Sequence, residues 1–283
     1  MPDDDKYPES SGRRRFVKGV VGSAALAGVG TSTSAMLNTT TNPSGAGGGI
    51  TQYFGMENTA GPAPRAMPQI PIRIDADGFL QGLWPEVQEV TEGGITFKVA
   101  RTTLPAPGGE ITYSNEWFQY CGVQTYEGLD PEADQDQYLR YANNPPYQWQ
   151  QDEVSAGDRV NIDDFQDYDS WGNDIGRSGL GKPAFATWRS EGTQDTMPVQ
   201  IIRSTRVERA AQDDEWLQAS TREGFIGILD KCTHFCCVPG FKSFGDSAKF
   251  AAEDKIYCQC HQSVYDPFSI VQRSFVALPR PGD

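Results

Sequence analysis

Apolar residues alternate with others at a period of two along Gln69-Ile70-Pro71-Ile72-Arg73-Ile74 and Ile95-Thr96-Phe97-Lys98-Val99-Ala100. That spacing turns one face of a strand to a core and the other to solvent. Ile111-Thr112-Tyr113 repeats it over a shorter span, and Pro198-Val199-Gln200-Ile201-Ile202 is a β-branched run that suits a strand. Glu92-Gly93-Gly94 and Pro107-Gly108-Gly109 are turn signals between such runs. The pattern predicts a mainly β fold without an internal repeat. Residues 115–176 are rich in Asp, Gln, Tyr and Asn and poor in aliphatics. They read as a long surface insertion, with a short helix near Pro131 to Tyr141.

The first 60 residues read differently. Residues 1–12 form an acidic tail. Arg13-Arg14-Arg15-Phe16-Val17-Lys18 resembles a twin-arginine export signal, a receptor-read address. Gly19 to Leu37 is mildly apolar and just reaches the roughly 20 residues a spanning helix needs; residues 13–37 are therefore expected to be a signal and membrane anchor. Residues 38–60 follow as a linker, flexible by the composition of Asn38 to Gly49. Residues 61–283 form the main domain.

The candidate chemistry lies near the C-terminus. The chain has two histidines and six cysteines; both histidines and five cysteines fall in Cys232-Thr233-His234-Phe235-Cys236-Cys237 and Cys258-Gln259-Cys260-His261-Gln262-Ser263. Cys232 and His234 make a C-x-H pair, and Cys258 and His261 a C-x-x-H pair, so each loop offers one thiolate and one imidazole. Mixed thiolate and imidazole donors suit a Rieske-type [2Fe–2S] centre. There, imidazole in place of thiolate removes negative charge from one iron and raises the potential. Tetrahedral zinc also takes two Cys and two His, but its sites usually show C-x₂₋₄-C and H-x₃₋₅-H spacing.

These boxes resemble the C-T-H-x-G-C and C-P-C-H-G-S motifs of the Rieske iron–sulfur proteins of cytochrome bc-type complexes. Val238-Pro239-Gly240, Ser263, Tyr265 and Asp266 agree with the flanks, and Gly181-Lys182-Pro183, Trp188-Arg189 and Ile202-Arg203 resemble the run upstream. The likeness covers about residues 178–283. It implies an antiparallel β-sandwich with a smaller cluster-binding part, here about 228–270. It implies that Cys232 and Cys258 bind one iron and His234 and His261 the other. Cys237 and Cys260 take the place of a disulfide joining the two loops, and the hydroxyls of Ser263 and Tyr265 take places that bond a bridging sulfide and a ligand sulfur. It further implies that the N-terminal segment stays as an uncleaved membrane anchor with the cluster domain outside the cytoplasm, and that His261 meets quinol. The partners implied are a cytochrome b-type subunit and a cytochrome c or blue-copper acceptor. The chain alone is then an electron carrier, and quinol oxidation belongs to the assembled complex. The alternative is the Rieske subunit of another exported oxidoreductase, of the arsenite-oxidase kind.

The boxes depart from the motif where Cys236 and Gln262 replace glycines and Gln259 a proline. Glycine often marks a positive φ, so local reshaping of the loops is expected. Ala277-Leu278-Pro279-Arg280-Pro281 is only loosely like the family's proline-rich covering loop. Cys121 and Cys236 are left over; they either pair with each other or stay as free thiols, and spacing does not choose. The formal net charge of −14 argues against nucleic acid, which needs basic patches. It suits hydration in high salt, where repulsion is screened, and so a halophilic archaeal source.

Overall fold

The computed structural model describes residues 49–92 and 95–277. The acidic tail, the twin-arginine segment, residues 38–48 and Leu278 to Pro281 lie outside the described residues. Among those described, no helix is long and apolar enough to cross a membrane.

The chain is mainly β, and its sheets are antiparallel, as a β-sandwich requires. Strand β1 (Gly49–Ala60) runs the length of β14 (Ser263–Ala277), from Gly49 opposite Ala277 to Ala60 opposite Val264. The first strand is thereby tied to the last, so residues 49–60 are sheet rather than linker. Tyr53, Phe54, Gly55 and Met56 are buried there, and apolar burial against the core fixes a segment whose glycines had suggested freedom.

A nine-stranded sheet has the order β12-β13-β14-β1-β2-β11-β10-β9-β8. Its further members are β2 (Met67–Ile70), β8 (Leu139–Tyr141), β9 (Lys182–Trp188), β10 (Met197–Arg203), β11 (Phe225–Leu229), β12 (Gly240–Phe241) and β13 (Ile256–Cys258). The expected strand at 69–74 is divided at Pro71 into β2 and β3 (Ile72–Ile74), and β3 pairs with β4 (Leu80–Gly82). Strands β5 (Val87–Glu92), β6 (Ile95–Ala106) and β7 (Gly109–Ser114) form a meander, with the turn from β6 to β7 at Pro107-Gly108.

Residues 115–176 are not a surface insertion. Trp117, Phe118, Leu129, Tyr147, Val160 and Phe165 are buried in the same core as the sheet strands. Trp117 packs edge-on against Tyr53 and Tyr113. Aromatic rings carry 150–250 Å² of burial each, so a few among many polar residues suffice to hold the segment down. No helix covers Pro131 to Tyr141; the segment is extended and ends in β8. Helices lie instead at α1 (Gln148–Glu153), α2 (Thr205–Asp213) and α3 (Glu215–Ser220). The side chains of Ser204 and Asp214 accept hydrogen bonds from Arg206 N and Leu217 N at the starts of α2 and α3, satisfying otherwise orphaned amides.

Gln200 on β10 joins three parts of the chain. Its Oε1 accepts from Tyr147 Oη at 3.0 Å and from Phe241 N at 3.1 Å, and its Nε2 donates to Ala184 O at 2.8 Å. All of this is buried. Gln200→Leu should destabilise the chain by about 1–3 kcal/mol, because the Phe241 amide of β12 is left unpaired. Urea unfolding would read it, with Gln151→Leu, whose site is exposed, as a near-neutral control.

Candidate metal centre

Two loops meet at one end of the large sheet. The first, residues 230–239, joins β11 to β12; the second, residues 259–262, joins β13 to β14. Each is closed by its own backbone. Cys232 N donates to Cys237 O at 2.7 Å and Cys236 N to Cys232 O at 3.1 Å, while Gln262 N donates to Cys258 O at 2.9 Å. A disulfide between Cys237 and Cys260 joins the loops.

Cys236 and Gln262 both have φ of +61°. The loops keep the left-handed turns that glycine would favour, with residues that take them at a cost of about 1–2 kcal/mol each. The second turn is braced from outside: a Cβ on Gly61, itself at φ +85°, would lie 2.5 Å from Gln262 O.

The four candidate donors sort into two pairs. Cys232 and Cys258 are buried, and their thiols are in hydrogen-bond contact. That contact, with help from Tyr265 Oη and the His234 amide, lowers the Cys232 thiol to about 5 although burial opposes it. The same contact, with burial, raises Cys258. The His234 and His261 rings stand 4.9 Å apart at 84°; His234 is half-buried and His261 exposed. Among the described residues, one group of three such donor atoms lies within 4.8 Å of one another: Cys237, Cys258 and Cys260. Two of these are joined to each other and not free to bind. Cys232, Cys258, His234 and His261 thus do not form a single tight nest.

Tyr265 is fully buried with its Oη 3.3 Å from Cys232 Sγ. It accepts from Thr233 N at 3.1 Å, and Thr233 Oγ1 donates its one hydrogen to Arg65 O at 2.8 Å. The Tyr265 proton is therefore left to the Cys232 sulfur and Thr233 Oγ1. Ser263 Oγ and His234 Nδ1 are buried and have no hydrogen-bond partner among the described residues. Ser263 lies close enough to favour the Cys232 thiolate.

Three contributors were not expected from sequence. Arg65 exchanges backbone hydrogen bonds with Thr233 and lies over the rings of Tyr53, Tyr120 and Phe275. Gly61 abuts the second loop. Asp230 is buried without a partner for either carboxylate oxygen among the described residues, and burial pushes its carboxyl well above the usual range. None stands in a Cys/His pattern; only the glycine, as a backbone-approach signal, was open to detection. Phe235 is exposed at the tip, its ring 5.0 Å from His261.

Compared with known family models, curated proteins and solved structures, the chain matches none.

Gln262→Gly should stabilise the chain by about 0.5–1 kcal/mol by relieving its left-handed φ against glycine's greater unfolded-state entropy. Gly61→Ala should destabilise it by more than about 1 kcal/mol, because both its φ and the Gln262 carbonyl oppose a Cβ. Thermal unfolding of the two variants beside the parent checks both signs.

Proposed function

We propose that this protein is a Rieske-type electron carrier. Cys232 and Cys258 would hold one iron of a [2Fe–2S] cluster and His234 and His261 the other. One observation carries the reading: two thiols in mutual contact inside, and two imidazoles side by side toward solvent, on loops locked by a disulfide. A single tetrahedral zinc would draw all four donors into one set; a two-iron centre needs two pairs. The unpartnered Ser263 hydroxyl and His234 Nδ1 supply one donor and one lone pair where such a centre needs them.

Bound there, the cluster supplies one-electron chemistry at high potential. The chain supplies the rest. The buried thiolates keep sulfur away from water. Tyr265 and Ser263 direct hydroxyl protons at sulfur, which favours the more negative, reduced state. The exposed His261, beside the apolar Phe235, is placed to accept a hydrogen bond and a proton from a quinol hydroxyl. The acceptor is then a cytochrome c or blue-copper protein, the neighbouring subunit is of the cytochrome b type, and the cluster domain lies on the extracytoplasmic face of the plasma membrane. The cluster-binding part corresponds to β12, β13 and the start of β14, with their small separate core of Ala252, Tyr257 and Val264.

Metal analysis of the purified chain should give about two irons and two acid-labile sulfides per chain; zinc in their place would overturn the reading. Tyr265→Phe should keep the cluster and lower its potential by about 40–60 mV. That is the equivalent of one hydrogen bond of about 1–1.4 kcal/mol in a one-electron couple. An unchanged potential would remove Tyr265 from the account.

A further inference from the structure

The cysteines that the cluster does not use, Cys121 and Cys236, converge on one atom. Cys121 Sγ donates to Cys232 O at 3.0 Å, and Cys236 N donates to the same oxygen at 3.1 Å. Neither is in a disulfide, and both are half-buried. Both also hold left-handed backbone, at φ +49° and +61°.

The segment bearing Cys121 is held along the first loop by independent contacts. Tyr120 Oη donates to Leu229 O at 3.3 Å and to Lys231 O at 3.1 Å. Arg65 Nη1 donates to Gln119 O at 3.3 Å, and Lys231 Nζ to Tyr126 Oη at 3.2 Å. The segment bearing Cys121 and the loop bearing Cys236 are thus held side by side, with Cys232 O as a common acceptor.

We propose that Cys121 and Cys236 are a second oxidisable pair, whose disulfide fastens residues 115–126 to the first loop. The oxidant is a disulfide, either a small one such as oxidised glutathione or that of a thiol oxidase. One cysteine thiolate attacks it, forming a mixed disulfide and releasing one thiol. The second cysteine then displaces the other sulfur. One S–S bond forms within the chain and two S–H bonds are lost. The oxidant's S–S bond breaks, and its sulfurs leave as two thiols carrying both electrons and both protons. This closure does not depend on the cluster assignment, since it needs neither Cys232 nor Cys258.

The test is thiol counting and peptide mapping on the full chain, before and after incubation with oxidised glutathione. Expected is the loss of two alkylatable thiols, with a peptide carrying Cys121 joined to the one carrying Cys236 and lighter by two hydrogens. Cys121→Ser and Cys121→Ala should each lose that link while keeping the Cys237–Cys260 bridge. The proposal is overturned if the parent keeps both thiols reactive under excess oxidant. It is equally overturned if Cys121 carries only a glutathione adduct, or is found joined to Cys237 or Cys260. Iron content read on the same samples separates failure of this pair from failure of the cluster.

Discussion

The Cys237–Cys260 bridge is the constraint on which the site depends. The first loop leads from β11 into β12 and the second closes the β13–β14 hairpin, and the bridge links them beside the β12–β13 pairing and the Tyr265 contacts to Cys232 and Thr233. Cys237 and Cys260 lie 23 residues apart, and closing a loop of that size limits the unfolded chain by about 3 kcal/mol. The bridge also sorts the donors. Each of its cysteines adjoins a candidate ligand box, so fixing the tips sets thiol against thiol below and imidazole beside imidazole above. Without it, the loops would be held together by the Tyr265 contacts to Cys232 and Thr233 and by the sheet beneath, with their tips free to part.

Below the bridge, the sheet carries the load. β11 delivers the first loop and the β13–β14 hairpin the second. β1 lies along β14 from end to end, so the second loop is anchored to both termini of the domain. Cys232, Cys258 and Tyr265 belong to the main core, which places the sulfur side of the centre in a dry, close-packed setting. There a hydroxyl proton directed at sulfur acts more strongly than it would in water. The histidine side stands at the rim. One side of the candidate site is thus buried and the other exposed to solvent.

That the two Cys/His boxes deserve to be read together was legible because Cys and His are scarce in this chain and fall at short, paired spacings. The 237–260 pairing was legible only through resemblance, since spacing cannot fix connectivity. Strands at 95–100 and 111–113 followed from period-two patterning, and the strand at 198–202 from its β-branched run. The role of 115–176 was hidden because its burial rests on isolated rings such as Trp117, Tyr147 and Phe165, spread through irregular polar loops with no period to read. β1 was hidden by the glycine-rich run before it. Helices α2 and α3 had a signal in Ser204 and Asp214, two capping residues each followed by a helix-forming stretch. Cys236 and Gln262 hold left-handed φ without being glycine, which no sequence signal announced.

The proposed function stands on a histidine-ligated two-iron cluster poised for quinol. The most direct test is a redox titration of the purified protein followed by low-temperature electron paramagnetic resonance. The account predicts a one-electron Rieske-type signal appearing on reduction at a positive potential, inside the roughly −150 to +300 mV span of such centres. A Rieske-type signal only at markedly negative potential would keep the cluster and contradict quinol oxidation, and no signal with zinc bound would contradict the cluster itself.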